Sequence, residues 1–415
     1  MSDPTTHNLW LLHAKSVYDT TKQAYIADGL LIMGETIISI GSFLDLHEQY
    51  PVARIVDYTK FYLLPGLINT HVHLEFEPVL NARERYIAEN PYINFLRAAQ
   101  NAQQMLLSGV TTLRDAGSSW RLLQLNMPDA WALAKMPRMQ LAGPPITITG
   151  GHLHFLHGEA DSYDEVIKAV RKRHKQGCTA IKIIVSGGQM TPGTLPERES
   201  YSVELIKAMT QQANQLGMPT FSHCLTTQGF VNSVLGGVQC IEHCACFVRN
   251  KKNGLLERVY EPEVMEQFRD AAPYFMSGIS NNYHMFDRCR GNAAIQTPSE
   301  AFLLKQEECE CEIFAKYIDL GMVPVVGTDA GCGQTYFNET FLECEIFVQR
   351  CGLSTADTIA AATINGAKCL GLGNVTGMLA TGYSADIIAL PKDPLQDITA
   401  LRNVAHVVCK GRIIR

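Results

Sequence analysis

The chain of 415 residues lacks several patterns that would settle its class at once. No stretch approaches the ~18 consecutive apolar residues of a membrane-spanning helix, so no span is expected. Blocks of like charge are absent and the net charge is −6, which argues against nucleic acid or an anionic membrane surface as the main partner. The opening MSDPTTHNLW has no basic segment followed by an apolar one, so no secretory signal is expected. Cysteine is plentiful, at 13, but a disulfide framework is missing. An odd, scattered set reads as reduced thiols in a cytoplasmic protein. His243-Cys244-Ala245-Cys246 and Cys309-Glu310-Cys311 lack the paired spacing of structural zinc sites, and their thiols read as small buried hydrophobes.

What is present is a large apolar fraction, 46%, in a chain too long for one small domain. The two ends read as β-rich, with LWLLHAKSVY and GLLIMGETIISIGSF at one and SADIIALPKD and NVAHVVCKGRIIR at the other. Neither end has enough apolar surface to fold alone. Segments 1–64 and 373–415 are therefore expected to pair into one composite β-sandwich domain.

Between them, over 65–372, a helix that stops at Gly is followed repeatedly by a short apolar strand. QMLLSG-VTTLRDAG, RKRHKQG-CTAIKIIVSGG, ANQLG-MPTFSHC, SVLGG-VQCIEHC and YIDLG-MVPVVGTDAG are the instances. Leu205, Ile206, Met209, Ala213 and Leu216 fall on one stripe of a helix near 203–216, which Gly217 ends. Such units imply an α/β fold, a (β/α)8 TIM barrel. Its strands are expected near 67–73, 110–115, 138–142, 179–186, 219–223, 239–243, 274–279 and 324–329.

A barrel of this kind gathers its chemistry at the C-terminal ends of the strands. There the sequence carries His71 and His73, Lys182, His223, Glu242-His243 and Asp329. Alternate strand residues point the same way, ~6.6 Å apart along the chain, so the H-x-H pair can grip one ion. Lys182 lies between Ile181, Ile183 and Ile184, where a charged amine is costly. Desolvation favours the neutral amine, which can condense with carbon dioxide to an anionic carbamate. An ion pair with a carboxylate such as Asp115 is the alternative.

PGLINTHVHLE, AIKIIVSGG, SHC, IEHC and GTDAG, in that order, resemble the metal motifs of the amidohydrolase superfamily. The resemblance runs the length of the chain and is nearest to the branch of Xaa-Pro dipeptidases, carboxypeptidase-like enzymes and imidazolonepropionase-like proteins. It implies two divalent ions, zinc by ligand type, with His71, His73 and Asp329 on the first and His223 and His243 on the second. Carboxylated Lys182 would bridge them, and Asp329 would move a proton from the attacking water to the leaving amine. His152, after Gly150-Gly151, is implied to contact the substrate. The branch's habit of assembly implies a homo-oligomer.

The resemblance implies a metal-dependent hydrolase that cuts an amide bond in a dipeptide or N-acyl amino acid. A cyclic amidase of imidazolonepropionase or hydantoin type, a mononuclear deaminase, a phosphotriesterase-like hydrolase and an inactive scaffold stay open beside it. No Glu closely follows His223, which disfavours the deaminase. The long segment 76–97 reads as a lid or substrate wall. Arg83, Arg85 and Tyr86 within it are candidates to hold a substrate carboxylate, and Tyr201 and Tyr283 with His284 to line the pocket. His154 and His157 form a tract with His152 that reads as a polar loop rim or a further metal site. His223-Cys224-Leu225 and the loop NNYHMFDRCRGNAAIQTPSE depart from the peptidase pattern and leave the leaving group open.

Overall fold

The computed structural model describes residues 9–271, 273–291 and 297–415. Residues 1–8 of the expected terminal segment, where a signal was sought, and 292–296 of the loop after the seventh strand lie outside the described residues.

Four strands open the chain, where aliphatic and β-branched residues crowd: β1 (Leu9–Asp19), β2 (Ala24–Met33), β3 (Thr36–Gly41) and β4 (Arg54–Pro65). The middle holds β5 (Leu67–Val72), β6 (Val110–Asp115), β7 (Arg138–Leu141), β8 (Ile181–Ile184), β9 (Thr220–Cys224) and β10 (Cys240–His243). It continues with β11 (Phe247–Arg249), β12 (Leu256–Arg258), β13 (Tyr274–Met276) and β14 (Val323–Pro324). The chain closes on β15 (Ile387–Leu390), β16 (His406–Cys409) and β17 (Arg412–Ile413).

The two ends do pair. They form one seven-stranded sheet in the order β17-β16-β15-β4-β1-β2-β3, whose two ends share a core of Leu30, Ile32 and Ile37 with Ile387, Ala389 and Val408. The reason lies in β1 and β4, which run 11 and 12 residues and are long enough to serve a partner on each edge. β4 takes β1 in parallel on one side and β15 antiparallel on the other, so each terminal segment completes the other. Strand alternation then splits β15 between two cores. Ile388 and Leu390 enter the main core with Leu64 and Leu113, and Ile387 and Ala389 pack with Leu12, Leu30 and Leu63.

The middle strands are parallel and lie in two arcs, β5-β6-β7 and β8-β9-β10-β13-β14. The arcs touch through the single bridges Val72–Ala330 and Ile146–Ile183, so the ladder of eight strands is not one continuous ring. Proline explains both seams. Pro144 and Pro145 precede Ile146, Pro324 ends β14, and none of them can donate to a ladder. The last strand is Val323–Pro324 instead of 324–329, which leaves Thr328 and Asp329 in a loop. A hairpin, β11 with β12, follows β10 and was not anticipated.

Glycine ends the helices as their spacing suggests. The helix Tyr163–Gln176 starts at a Ser162–Glu165 capping box and stops at Gly177, whose φ is +92°. In Val203–Gln215 the side chains of Ile206, Met209 and Ala213 are buried, with Leu205 and Leu216 half-buried beside them. Among the described residues no helix is long and apolar enough to cross a membrane.

The join between the terminal sheet and the parallel strands can be weighed at Ile388, which is fully buried. Ile388→Ala is expected to cost about 2–5 kcal/mol through the lost apolar contact and the cavity left behind. A lower urea midpoint than wild type checks this, and an unchanged midpoint would contradict it.

Candidate metal centre and active site

His71 sits in β5 and His73 one residue beyond it, with Val72 turned the other way into the core. Their rings lie 5.3 Å apart. His71 Nδ1 faces the Glu242 carboxylate, and His73 Nδ1 donates to the Gly117 carbonyl at 3.0 Å. Each ring therefore turns Nε2 toward a common space. Asp329 closes that space, its Oδ1 3.3 Å from His71 Nε2 and 3.4 Å from His73 Nε2. One ligand atom from each of the three lies within 4.8 Å of the others, a separation that suits a shared ion. Burial alone would raise the Asp329 carboxyl, but the two imidazoles outweigh it and hold it well below the carboxylate range. Asn281 donates to Asp329 Oδ2 at 2.8 Å.

The second group comes from the other arc. Register places Lys182 of β8 opposite Phe221, Ile184 opposite His223, and His223 of β9 opposite Glu242. The His223 and His243 rings are 4.7 Å apart, and His243 is 5.1 Å from His71. His223 Nε2 donates to the Gly187 carbonyl at 3.1 Å, which leaves Nδ1 for the cavity. Burial pushes His243 down to about 3 and His223 well below its ordinary value, so both rings are neutral and can act as ligands.

Lys182 Nζ is buried with no hydrogen-bond partner, 4.9 Å from the centre of the Phe221 ring. Burial lowers it to about 8, against the pull of Glu242 and Asp329. Asp115, the alternative partner, is taken by the backbone N–H groups of Leu74 and Gly117, at 2.8 and 3.2 Å. An unsatisfied buried amine among imidazoles and a carboxylate fits a site that holds divalent ions and a modified lysine.

Outside these ligands stands a group the sequence reading missed. Arg114 Nη2 donates to Glu242 at 2.8 Å, Arg114 Nε to the Thr70 carbonyl at 2.8 Å, and the guanidinium lies over Phe221 at 3.8 Å. Arg114 and Glu242 are both wholly buried. Burial would raise Glu242, but Arg114 and His71 keep it ionised. The available signal was an arginine in the apolar strand VTTLRD, the same oddity that singled out Lys182. Glu343, also missed, accepts from Ser277 Oγ and from the N–H groups of Ile279 and Ser280, and so shapes the loop that carries Asn281. Burial pushes its carboxyl up to about 7.

His152 lines the same cavity, its ring 4.6 Å from His223. Thr191 Oγ1 accepts from Leu153 N–H and lies 3.0 Å from His152 Nδ1; in the tautomer where the hydroxyl donates to Nδ1, Nε2–H is left to donate. Burial holds this ring neutral, lowered to about 3.

Four other candidates stand away from the cavity. Tyr201 is buried in a side core and donates to the Ala160 carbonyl at 2.6 Å. Arg83 pairs with Glu84 at 3.0 Å, Tyr86 packs against Phe76 and Phe155, and Tyr283 packs on the main core under Arg290. Each is engaged by neighbours outside the cavity, and none lines it. Arg85 pairs with Glu77, and His284 with Glu339 at 2.7 Å. His154 and His157 do not reach the cavity. Segment 76–97 contributes Leu80, Ala82 and Glu84 instead. The cavity measures about 620 Å³. No disulfide joins any of the described cysteines.

Two substitutions test these placements. Glu242→Gln removes the charge that orients His71 and balances Arg114, and zinc affinity in equilibrium dialysis is expected to fall about 10–100-fold. Unchanged affinity would separate Glu242 from the site. Tyr201→Phe is expected to leave kcat/KM within about twofold while stability drops by about 1 kcal/mol, read as a lower Tm. A large kcat/KM loss without a Tm change would return Tyr201 to the pocket.

The amidohydrolase family model matches residues 62–414. Ochratoxinase from Aspergillus niger is 24% identical over 416 residues, covering 93% of this chain and 82% of that protein. Imidazolonepropionase from Kosmotoga olearia is 24% identical over 394 residues, covering 91% and 88%. A crystal structure of a Xaa-Pro dipeptidase with methionine in its active site superposes with a TM-score of 0.82 at 25% identity, covering 98% of this chain and 100% of that one. A match that spans nearly all of the chain beyond its first strands, with hydrolases as its relatives, decides the family: this chain belongs to the amidohydrolase family and is a hydrolase acting on carbon–nitrogen bonds.

Proposed function

We propose that the chain is a binuclear metal-dependent amidohydrolase cleaving an amide bond in a small peptide or N-acyl amino acid, in the manner of a dipeptidase or carboxypeptidase. The observation that carries this reading is the buried, unpartnered amine of Lys182 in the cavity that His71, His73, His223, His243 and Asp329 also line. Burial there works against the ammonium and raises the share of neutral amine. The neutral amine adds to carbon dioxide; a carbon–nitrogen bond forms, a proton leaves to solvent, and the carbamate brings a negative charge and two oxygens. We assign His71, His73 and Asp329 to one divalent ion, His223 and His243 to another, and the carbamate of Lys182 to both. Zinc suits this mixture of imidazole and carboxylate-type oxygen. Bound ions would polarise the substrate carbonyl and acidify water.

The chain's own groups do the rest. Asp329 Oδ1 faces the two imidazoles and Oδ2 is steadied by Asn281, so the carboxylate can take a proton from the attacking water and release it to the leaving amine. His152 donates from Nε2 to the substrate carbonyl and stays neutral through the cycle. The likeness to a Xaa-Pro dipeptidase along the whole chain supports a peptide-like substrate. We also read the two arcs as halves of one (β/α)8 barrel over 65–372, with 1–64 and 373–415 as a composite domain.

Metal analysis of the purified protein should find about two divalent ions per chain, and one ion would favour a mononuclear deaminase-type site. Lys182→Ala should abolish turnover, and short carboxylic acids should restore part of it by standing in for the carbamate. Full activity in that variant would remove the carbamate from the reaction. A panel of Xaa-Pro and Xaa-Arg dipeptides, N-acyl amino acids and cyclic imides, read by released amine, decides the bond. Turnover of the cyclic members alone would give the site to an imidazolonepropionase or hydantoin type of chemistry.

A further inference from the structure

The hairpin that follows His243 carries a charge that the proposed reaction has not used. In its register Phe247 of β11 stands opposite Arg258 of β12, and the guanidinium lies over the Phe247 ring at 4.7 Å. Arg258 Nη1 donates to the Ala245 carbonyl at 3.2 Å, two residues beyond His243. Its Nη2 donates to Glu310 at 2.6 Å, and its backbone N–H to Gln306 at 2.8 Å. Nε is buried and has no partner. Among the residues lining the cavity, Arg258 and Lys182 are the only lysine or arginine side chains. Lys182 belongs to the cavity's floor, so Arg258 is the cation of the wall.

The charges behind the wall hold one another in place. Glu307, on the helix Pro298–Asp319 with Glu310, accepts from Arg290 at 2.6 Å and also from Arg350. Asp287 stands 3.7 Å from Arg290 as well, so three guanidinium groups meet three carboxylates and the cluster is balanced. A guanidinium has five N–H donors in a planar fork, and Arg258 spends only two of them on the protein. The wall beside it carries Phe247, Leu256, Phe286, Phe302 and Leu303, with Gln306, Glu307 and Glu310 on its polar side.

We propose that Arg258 binds a free carboxylate on the substrate, and that the leaving group is accordingly an amino acid with an apolar side chain. This rests on the amide-cleaving reading above and names its leaving group. Glu310 and Ala245 hold the fork, Phe247 backs it, and the second N–H of Nη1 and of Nη2 meets the carboxylate in the two-pronged manner that arginine favours. The role first sought in segment 76–97 belongs to the hairpin after β10.

The test compares metal-loaded wild type with Arg258→Met and Arg258→Lys on a matched pair, N-acetyl-L-phenylalanine and N-acetyl-L-phenylalaninamide. For the acid, KM in Arg258→Met is expected to rise about tenfold or more with kcat within about threefold; for the amide both stay within about twofold. Arg258→Lys keeps the charge and loses the fork, and should fall between the two. It also serves if the methionine variant does not fold. Equal losses on acid and amide, or none on either, overturn the proposal. Calorimetric titration with L-phenylalanine and L-phenylalaninamide separates this from failure of the amide-cleaving reading. If wild type turns over neither substrate, that reading falls. Tighter binding of phenylalanine than of its amide, lost in Arg258→Met, would still sustain the carboxylate site, and no preference for the acid would overturn it.

Discussion

The Glu242 carboxylate, sealed between Arg114 and His71, is the contact on which the centre depends. All three side chains are within about one per cent of complete burial. Such a group is a poor source of net stability, because removing two charges from water costs about what their attraction returns. Its value is geometric. Glu242 takes the Nδ1 hydrogen of His71 and so commits Nε2 to the cavity, where Asp329 waits. Arg114 ties the same carboxylate to the Thr70 carbonyl next to His71. The two arcs of parallel strands meet through isolated bridges rather than a continuous ladder, and this chain of contacts runs from β6 through β10 to β5. The ligand geometry is therefore set by side chains that never touch a substrate.

Backbone strain gathers at the same place. His243 and Asp329 hold φ at +69° and +58°, a region that costs L residues energy unless the surroundings enforce it. His243 ends β10 and Asp329 sits in the loop beyond β14, where the turn must aim each side chain back into the cavity. Gly327 permits this. A Cβ there would come within 2.5 Å of Met276 and 3.0 Å of His71 Cβ, so only glycine lets the loop bearing Asp329 pass so close to β5. The brevity of β14 is thus part of the site.

The sequence made some levels of this organisation plain and hid others. Strand-end histidines, Lys182 and Asp329 stood out because local residue type conflicts with an apolar strand, and a conflict of that kind needs no tertiary information. The helix–Gly–strand rhythm was legible because glycine in a left-handed turn is a local event. The separation of the arcs was not, since a ladder's closure depends on how distant strands meet, though Pro144, Pro145 and Pro324 marked where it thins. The single terminal sheet was equally hidden, because two β-rich ends do not reveal whether they stack or join edge to edge. Arg114 was readable by the rule that found Lys182. Tyr201, Arg83, Tyr86 and Tyr283 were chosen as loop residues of suitable chemistry, and each has a local partner that only three-dimensional packing shows.

The division between floor and wall explains why specificity resisted the same reading. The floor is made of imidazoles, the Asp329 carboxylate and one amine, with His152, His223 and His243 held neutral and Lys182 lowered by burial, and it acts on a carbonyl whatever is attached to the nitrogen. The wall comes from loops, the hairpin after β10 and the helix Pro298–Asp319, whose charges are balanced among themselves. Nothing in Phe247-Val248-Arg249 or Leu256-Glu257-Arg258 conflicts with an ordinary exposed hairpin, so no local oddity announces them. Their meaning comes from position alone. The hairpin springs from the strand that ends in His243, and Arg258 is anchored two residues beyond that ligand. A chain can therefore keep the floor and change its leaving group by altering a hairpin whose sequence looks like surface.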